Sequence, residues 1–266
     1  MVFDSHVTTF LKEIERTVVH KHGVAVVSGS AALLEAVHVS DRDHDRIVPN
    51  DIDVFVHMPP VSYARDESER NLQEFLDSLE NFSSMSFYTV RQLDWSTNCY
   101  RMKYGNDMEV WGILDLRFST HTGREHPYKI QLIFLYHFDD PSKWWPTYRI
   151  TEEEFASEAL GSFDINICRA WFRLKDRTVS FPCDPKDFDY VMQGSFYVKQ
   201  RKLSGISFQR IKKYQDRGFT NKGYYDPATD MLHILGSNLI VQCSRQLDLH
   251  RLLLNEGMIS DSEGSD

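Results

Sequence analysis

Val26–Val56, VVSGSAALLEAVHVSDRDHDRIVPNDIDVFV, contains a small-residue turn, a short apolar helical pattern, a charged loop, and then two aspartates separated by one isoleucine. VAVVSG (Val24 to Gly29) is a β-branched run of strand length, and AALLEAV after it consists of helix formers, so the order is strand, tight turn, helix. SDRDHDRIVPN is a polar loop closed by Pro49 and Asn50, and DIDVFV (Asp51 to Val56) is the next strand, ended by HMPP. Side chains at i and i+2 of a strand share a face, with Cα atoms about 6.5 to 7 Å apart. Asp51 and Asp53 therefore point one way, while Ile52, Val54 and Val56 point the other, toward a core. Buried carboxylates without a counter-charge are strongly disfavoured, so the pair needs solvent or a cation.

Outward from this stretch, Phe3, Val7, Phe10, Leu11, Ile14 and Val18 recur at helical spacing ahead of it. ERNLQEFLDSLENF is a helix pattern with Leu72, Phe75, Leu76 and Leu79 inward. SFYTVRQ, NCYRMKYG, EVWGILDLRF and YKIQLIFLYHF follow as four strands, and their close spacing predicts a mostly antiparallel sheet. Lys143–Pro146 marks a loop, and Thr151 with Glu154 forms a capping-box pattern at the start of TEEEFASEAL. FDINICRAWFRL and TVSFP predict a hairpin joined near Lys175 and Asp176. SFQRIKKYQDRG and TDMLHILGSNLIVQCSRQLDLHRLLL carry helical spacing, with Gly218 a C-cap for the first. The expected architecture is α+β: a mixed-sheet core with flanking helices over residues 1–140, a hairpin and helical portion over 141–258, and a disordered acidic tail over 259–266.

At 41% hydrophobic and 13% aromatic residues over 266 positions, one or two cores are within reach, and the composition is not that of a disordered chain. A net charge of −9 provides no global attraction to nucleic acid, so any polyanion site has to be local. Cys99, Cys168, Cys183 and Cys243 are far apart and form no Cys-x-x-Cys pair, which argues against a zinc site or disulfide framework. Residues 1–21 mix acids with apolar residues, so no signal or transit peptide is expected. No run approaches the roughly 18 apolar residues of a spanning helix, and an intracellular, cytoplasmic protein with no membrane partner is the expectation.

Two carboxylates at this spacing suit a hard divalent ion such as Mg²⁺, which prefers oxygen ligands and completes its shell with substrate phosphates. Gly29 and Ser30 sit where a strand turns into a helix. A glycine there lets a phosphate approach the backbone, and the serine hydroxyl and helix N–H groups can bind it. Taken singly, an Asp-x-Asp strand edge is often solvated scaffold and a Gly-Ser turn is often only a turn. Their occurrence in order, within one strand-helix-strand unit, is what carries the inference.

SGSAALL followed by NDIDVFV resembles the signature of the polymerase-β-like nucleotidyltransferase superfamily, which includes polyadenylating, CCA-adding and aminoglycoside-modifying members. YKIQLIFL, GSFDINICRAWF and FQRIKKYQDRGF further resemble a branch of nucleotidyltransferase-like proteins met in large DNA viruses and fungi, and together these pieces span roughly residues 24 to 219. The resemblance implies that Gly29 and Ser30 hold the phosphates of a nucleoside triphosphate, and that Asp51 and Asp53 coordinate one or two Mg²⁺ ions. It also implies Mg²⁺-dependent attack of an acceptor hydroxyl on the α-phosphorus, with pyrophosphate leaving and the acceptor (RNA, protein or small molecule) left open. Members usually add a third acid on a neighbouring strand, where this chain offers Gln131, which cannot act as a base. Asp115 or Asp164 is the expected substitute, and the spacing does not choose between them. The gap from Ser30 to Asp51 is also longer than usual. Either a displaced acid preserves catalysis, or the chain is an inactive nucleotide- or RNA-binding or assembly module. A surface strand in a protein of unrelated function is the third alternative.

In the densest basic stretch a helix presents Arg210, Lys213 and Arg217 along one face toward phosphates, and Arg210, Lys212 and Lys213 are expected to contact phosphates or acceptor, against the plainer alternative of a solvated helix face. His44, His121 and His126 lack ligand spacing and are expected at the surface. Trp144 and Trp145 are expected as packing anchors rather than base-stacking platforms, and Cys99 and Cys168 as core residues.

Overall fold

The computed structural model describes residues 3–39, 49, 51–58, 65–92, 103–104, 108–119, 122–137, 149–161, 163–175, 179–180, 185–199, 205–226 and 231–233. The chain forms two compact units, Met1–Ser162 with Cys168–Pro185, and Phe163–Ile167 with Lys186–Asp266. The first contains α1 (Ser5–His20), β1 (Val24–Ser28), α2 (Ser30–Val39), β2 (Asp51–His57), α3 (Arg65–Phe82) and β3 (Phe87–Gln92). It continues with β4 (Lys103–Tyr104), β5 (Met108–Phe118), β6 (Lys129–His137), α4 (Glu152–Gly161), β7 (Trp171–Arg173) and β8 (Val179–Ser180).

Its strands form one sheet in the order β3-β5-β6-β2-β1-β7-β8, with β4 also on β5. Only β2 and β6 pair in parallel; every other described pair in this sheet is antiparallel. This is the mixed sheet flanked by helices that the sequence predicted. The hairpin expected near Lys175 is present, with Trp171 opposite Ser180 and Phe172 opposite Val179, and it extends the main sheet rather than forming part of a separate C-terminal body.

α1 and α3 cover the sheet face that carries Ile52, Val54 and Val56. Phe10 of α1 meets Phe118 of β5 at 4.8 Å between ring centroids, and Phe75 of α3 meets Phe134 of β6 at 5.2 Å. These side chains are fully buried with Ile14, Leu72, Leu79, Leu114, Leu116, Ile130 and Leu132, each contributing roughly 1.5–3 kcal/mol by leaving water. Asp4 caps α1, its Oδ1 accepting from the N–H groups of His6 and Val7 at 2.9 Å each. Glu13, also buried, accepts from Ser83 Oγ, Ser84 N and Ser84 Oγ, which ties α1 to the end of α3. α1 turns sharply into β1 at Gly23, where a Cβ would lie 2.9 Å from the His57 carbonyl oxygen. The α4 capping box forms as predicted: Thr151 N donates to Glu154 Oε2 at 2.9 Å, and Glu154 N to Thr151 Oγ1 at 3.2 Å.

The second unit contains α5 (Pro185–Met192), β9 (Ser195–Val198), α6 (Gly205–Asp216), β10 (Thr220–Asp226) and β11 (Met231–His233). Its sheet order is β11-β10-β9, with β9 and β10 parallel. Residues 163–167 belong here because Ile165 bridges Val198, Lys199 N donates to Asp164 O, and Tyr197 N donates to Asn166 Oδ1. α6 ends as expected, at Gly218 with φ 85°. Met231–His233 corrects the helical expectation for that segment: they pair with Tyr224, Tyr225 and Asp226, so backbone pairing overrides the helical spacing of the side chains. The rest of that segment and the tail lie outside the described residues, as do Cys99, Cys183, Cys243, His44, His121, Trp144 and Trp145.

Candidate functional site

The site is built on the sheet face opposite α1 and α3. Gly29 ends β1 with φ +74°, and its carbonyl accepts the first helical bond of α2 from Leu33 N at 3.0 Å. A Cβ on Gly29 would lie 3.0 Å from Asp53 Oδ2. The glycine bend and the aspartate strand, separated in sequence by a helix and a charged loop, are thus so close that a side chain at position 29 would crowd Asp53. Ser30, buried, is the first residue of α2, so its N–H and those of Ala31 and Ala32 have no acceptor within the helix.

Strand register extends this polar face sideways. Asp53 is directly opposite Ser28 on β1 and Gln131 on β6, and Gln131 is in turn opposite Asp115 on β5. In the adjacent row Asp51 faces Lys129. Directly opposed residues share a sheet face, so Asp51, Asp53, Lys129, Gln131 and Asp115 form one polar patch at this end of the face. The first four are partly exposed, while Asp115 is only 4% exposed. Ser28 lies inside this arrangement without facing outward, its hydroxyl donating to the Ala170 carbonyl at 2.9 Å.

Asp115 is fully engaged. Gln131 Nε2 donates to its Oδ1 at 2.7 Å, and Lys129 Nζ donates to its Oδ2 at 3.1 Å. It stands two strand spacings from Asp53, about 10 Å. Of the two acids expected as a third ligand, then, Asp115 shares the face but is held by a lysine and an amide. Asp164 lies in the second unit, buried, and receives Arg210 Nη1 at 3.2 Å. Arg210 also lies over the Phe163 ring at 5.9 Å, so within its own unit it positions an acid. Lys213 and Arg217 flank the Tyr214 ring, and Lys212 is exposed.

Asp51 and Asp53 are the residues that could offer oxygens to a hard cation, on a partly open face beside Gly29, and Asp115 holds Lys129 and Gln131. Among the described residues no group of three or more His, Cys, Asp or Glu is disposed to hold a metal ion.

Lys129 was missed by the sequence reading, although a signal was present. KIQL repeats the pattern of DIDV, with polar residues at i and i+2 of an apolar strand, and the two motifs lie in exact register.

Two further polar clusters lie in this unit. His126, expected at the surface, is 3% exposed and stacks on Phe118 at 4.5 Å. Its Nδ1 accepts from Tyr128 N, so the proton sits on Nε2, which donates to Asp4 Oδ2 at 2.8 Å. Partial burial pushes the Asp4 carboxyl up, but the His126 bond and the Val7 and His6 N–H groups outweigh it and hold it below the ordinary carboxylate range. At the far end of β2, His57 Nε2 lies 3.3 Å from His137 Nδ1, and His137 Nε2 meets Glu158 of α4. Cys168 is buried, as expected.

No protein-family model matches the sequence, and no curated protein matches it. Solved structures align with it along most of its length. A CCA-adding enzyme in complex with CTP aligns over 96% of this chain and 44% of its own, at 12% identity and a TM-score of 0.48. A CCA-adding enzyme with ATP aligns over 98% and 49%, at 11% and 0.45. The Thermotoga maritima CCA-adding enzyme complexed with tRNA aligns over 96% and 52%, at 12% and 0.44. This chain therefore spans about half the length of those chains. Likenesses of this strength say nothing about chemistry, and they lend no support to the finer viral and fungal kinship. Among the described residues no helix is long and apolar enough to cross a membrane.

Proposed function

We propose that the first unit binds a nucleoside triphosphate together with a divalent cation, Mg²⁺ by its ligand chemistry, on the Asp51–Asp53 face of the sheet. The observation that carries this is the approach of Asp53 Oδ2 to within 3.0 Å of a Cβ position on Gly29, which puts the cation ligands beside a helix start built to receive phosphate. Gly29 leaves the space a side chain would fill. The Ser30 hydroxyl and the first N–H groups of α2 donate to phosphate oxygens, aided by the positive end of the helix dipole. Asp51 and Asp53 present oxygens to the cation, which when bound neutralises part of the charge shared by carboxylates and phosphates.

Binding without turnover is the reading this geometry supports best. Gln131 stands where a base adjoining Asp53 would be, and Asp115 is occupied by Lys129. Nucleotidyl transfer is the second reading, favoured by Asp115 lying in the same row. In that reading Asp115 parts from Lys129, takes the proton of an acceptor hydroxyl attacking the α-phosphorus, and pyrophosphate leaves. RNA, a protein side chain or a small molecule would be the acceptor. The exposed Lys212 of α6 is proposed as a contact for a phosphate-bearing partner of the second unit.

Equilibrium binding of each labelled nucleoside triphosphate, with Mg²⁺ and with chelator, tests the proposal. Wild-type protein is expected to bind in the presence of Mg²⁺. An Asp51→Asn, Asp53→Asn variant with unchanged circular dichroism should bind about 100-fold more weakly, two tenfold steps of about 1.4 kcal/mol each. Equal binding by both proteins overturns it. Pyrophosphate release by the wild type alone decides for transfer.

A further inference from the structure

We infer that the indole N–H of Trp171 is a further donor of this site, given to a phosphate oxygen of the nucleotide. The inference rests on the binding reading above and adds one ligand contact to it. Trp171 opens β7 and stands directly opposite Ser28, which itself stands directly opposite Asp53. The three side chains therefore belong to one row on one sheet face, with Ser28 in the middle and the Gly29 bend following it. Trp171 is 3% exposed, and its Nε1 has no acceptor among the described residues. The facing hydroxyl does not serve it, because Ser28 Oγ is turned to the carbonyls of Ala170 and Cys168, at 2.9 and 3.4 Å.

Trp111 provides the comparison. It is 2% exposed on β5 of the same sheet, and its Nε1 donates to the Met58 carbonyl at 2.7 Å. A buried indole N–H ordinarily finds such a partner, and one left without it has lost its hydration for nothing in return. At Trp171 the partner arrives with the ligand. Gly29 and Asp53, both partly exposed, are the open positions beside Ser28, and Trp171 stands on the other side of that serine. The type of donor identifies the ligand atom. An indole can only donate, and so can the N–H groups at the start of α2 that no helical carbonyl takes. Such donors, brought side by side from two elements, suit an atom that only accepts. A phosphate oxygen is one, whereas a ribose hydroxyl brings a proton of its own.

Indole N–H signals in nuclear magnetic resonance spectra of the isotope-labelled full chain test this without any reaction. Loss of one signal in Trp171→Phe identifies it, and sequential backbone assignment does so if that variant fails to fold. ATP with Mg²⁺, and inorganic tripolyphosphate with Mg²⁺, are each expected to move the Trp171 signal downfield while Trp111 stays in place. Folded Trp171→Phe, which keeps a ring and loses the donor, should bind both about tenfold more weakly. Three results overturn the inference and leave the nucleotide reading standing: ATP binding with no movement of Trp171, movement with adenosine but not with tripolyphosphate, or undiminished binding by folded Trp171→Phe. Tripolyphosphate that moves Trp171 where ATP does not bind supports the indole contact and overturns the nucleotide reading. No binding of either compound overturns both.

Discussion

The two ends of β2 place polar side chains on the same sheet face and treat them in opposite ways. At the start, Asp51 and Asp53 remain partly exposed beside Gly29. At the finish, His57 and His137 are 4% and 0% exposed. His57 bonds to His137, His137 bonds to Glu158, and the Phe155 and His57 rings meet at 5.6 Å between centroids, inclined at 61°. α4 closes the histidine end. The contrast shows what to look for in a sheet of this kind. Polar side chains covered by a helix are closed to a ligand, whereas those left partly exposed beside a helix start can be reached by one.

Four substitutions sharpen this contrast. The largest effect is expected from Gly29→Val, which forces a β-branched residue to φ +74° and drives its Cβ into Asp53. Strain of about 1–3 kcal/mol should lower the melting temperature, and nucleotide binding should disappear at the same time. At the closed end, His137→Leu removes the group between His57 and Glu158. A loss of about 1–3 kcal/mol in denaturant unfolding is expected, with Mg²⁺-dependent nucleotide binding unchanged; a binding loss there would mean that the two ends are one system. Thr151→Ala breaks the capping box of α4 and should cost about 1 kcal/mol, again with binding intact.

The smallest effect concerns acid. Asp4 has a folded-state pKa below its unfolded value, so its contribution is complete above about pH 4, the ordinary carboxylate range, and is lost as pH falls through the lower folded value. Asp4→Asn should therefore flatten the acid limb of a stability–pH curve and leave stability near neutrality only slightly reduced, because the carboxyl is half exposed and screened.

The elements legible in the sequence were those whose side chains obey one period over many residues. α1 shows its buried stripe, β2 shows alternating acids and apolar residues, and α4 shows its cap within four positions. What stayed hidden depended on partners far along the chain. Lys129 is an ordinary strand residue until β5 is laid beside β6 and Asp115 comes within reach. His126 looked like a surface histidine because its burial needs Phe118 beneath it and Asp4 from the other end of the unit. Met231–His233 carried helical spacing and became a strand because β10 was there to pair with. Asp115 was singled out as an acid of interest, but its charge partner was not, since the polar i, i+2 pattern of KIQL marks a face without saying which strand will lie beside it.

Asp51–His57 runs beside Lys129–Leu135 without a bulge, residue for residue. The ionic end and the imidazole end are consequently locked in phase by a single frame. One residue inserted ahead of Lys129 would, if the pairing slid to absorb it, bring Ile130 and Leu132 onto the aspartate face and send Lys129 and Gln131 into the hydrocarbon packed under α3. The length of the connection into β6 is therefore far less negotiable than the identity of the side chains it delivers, and chain length, more than any one substitution, holds this face together.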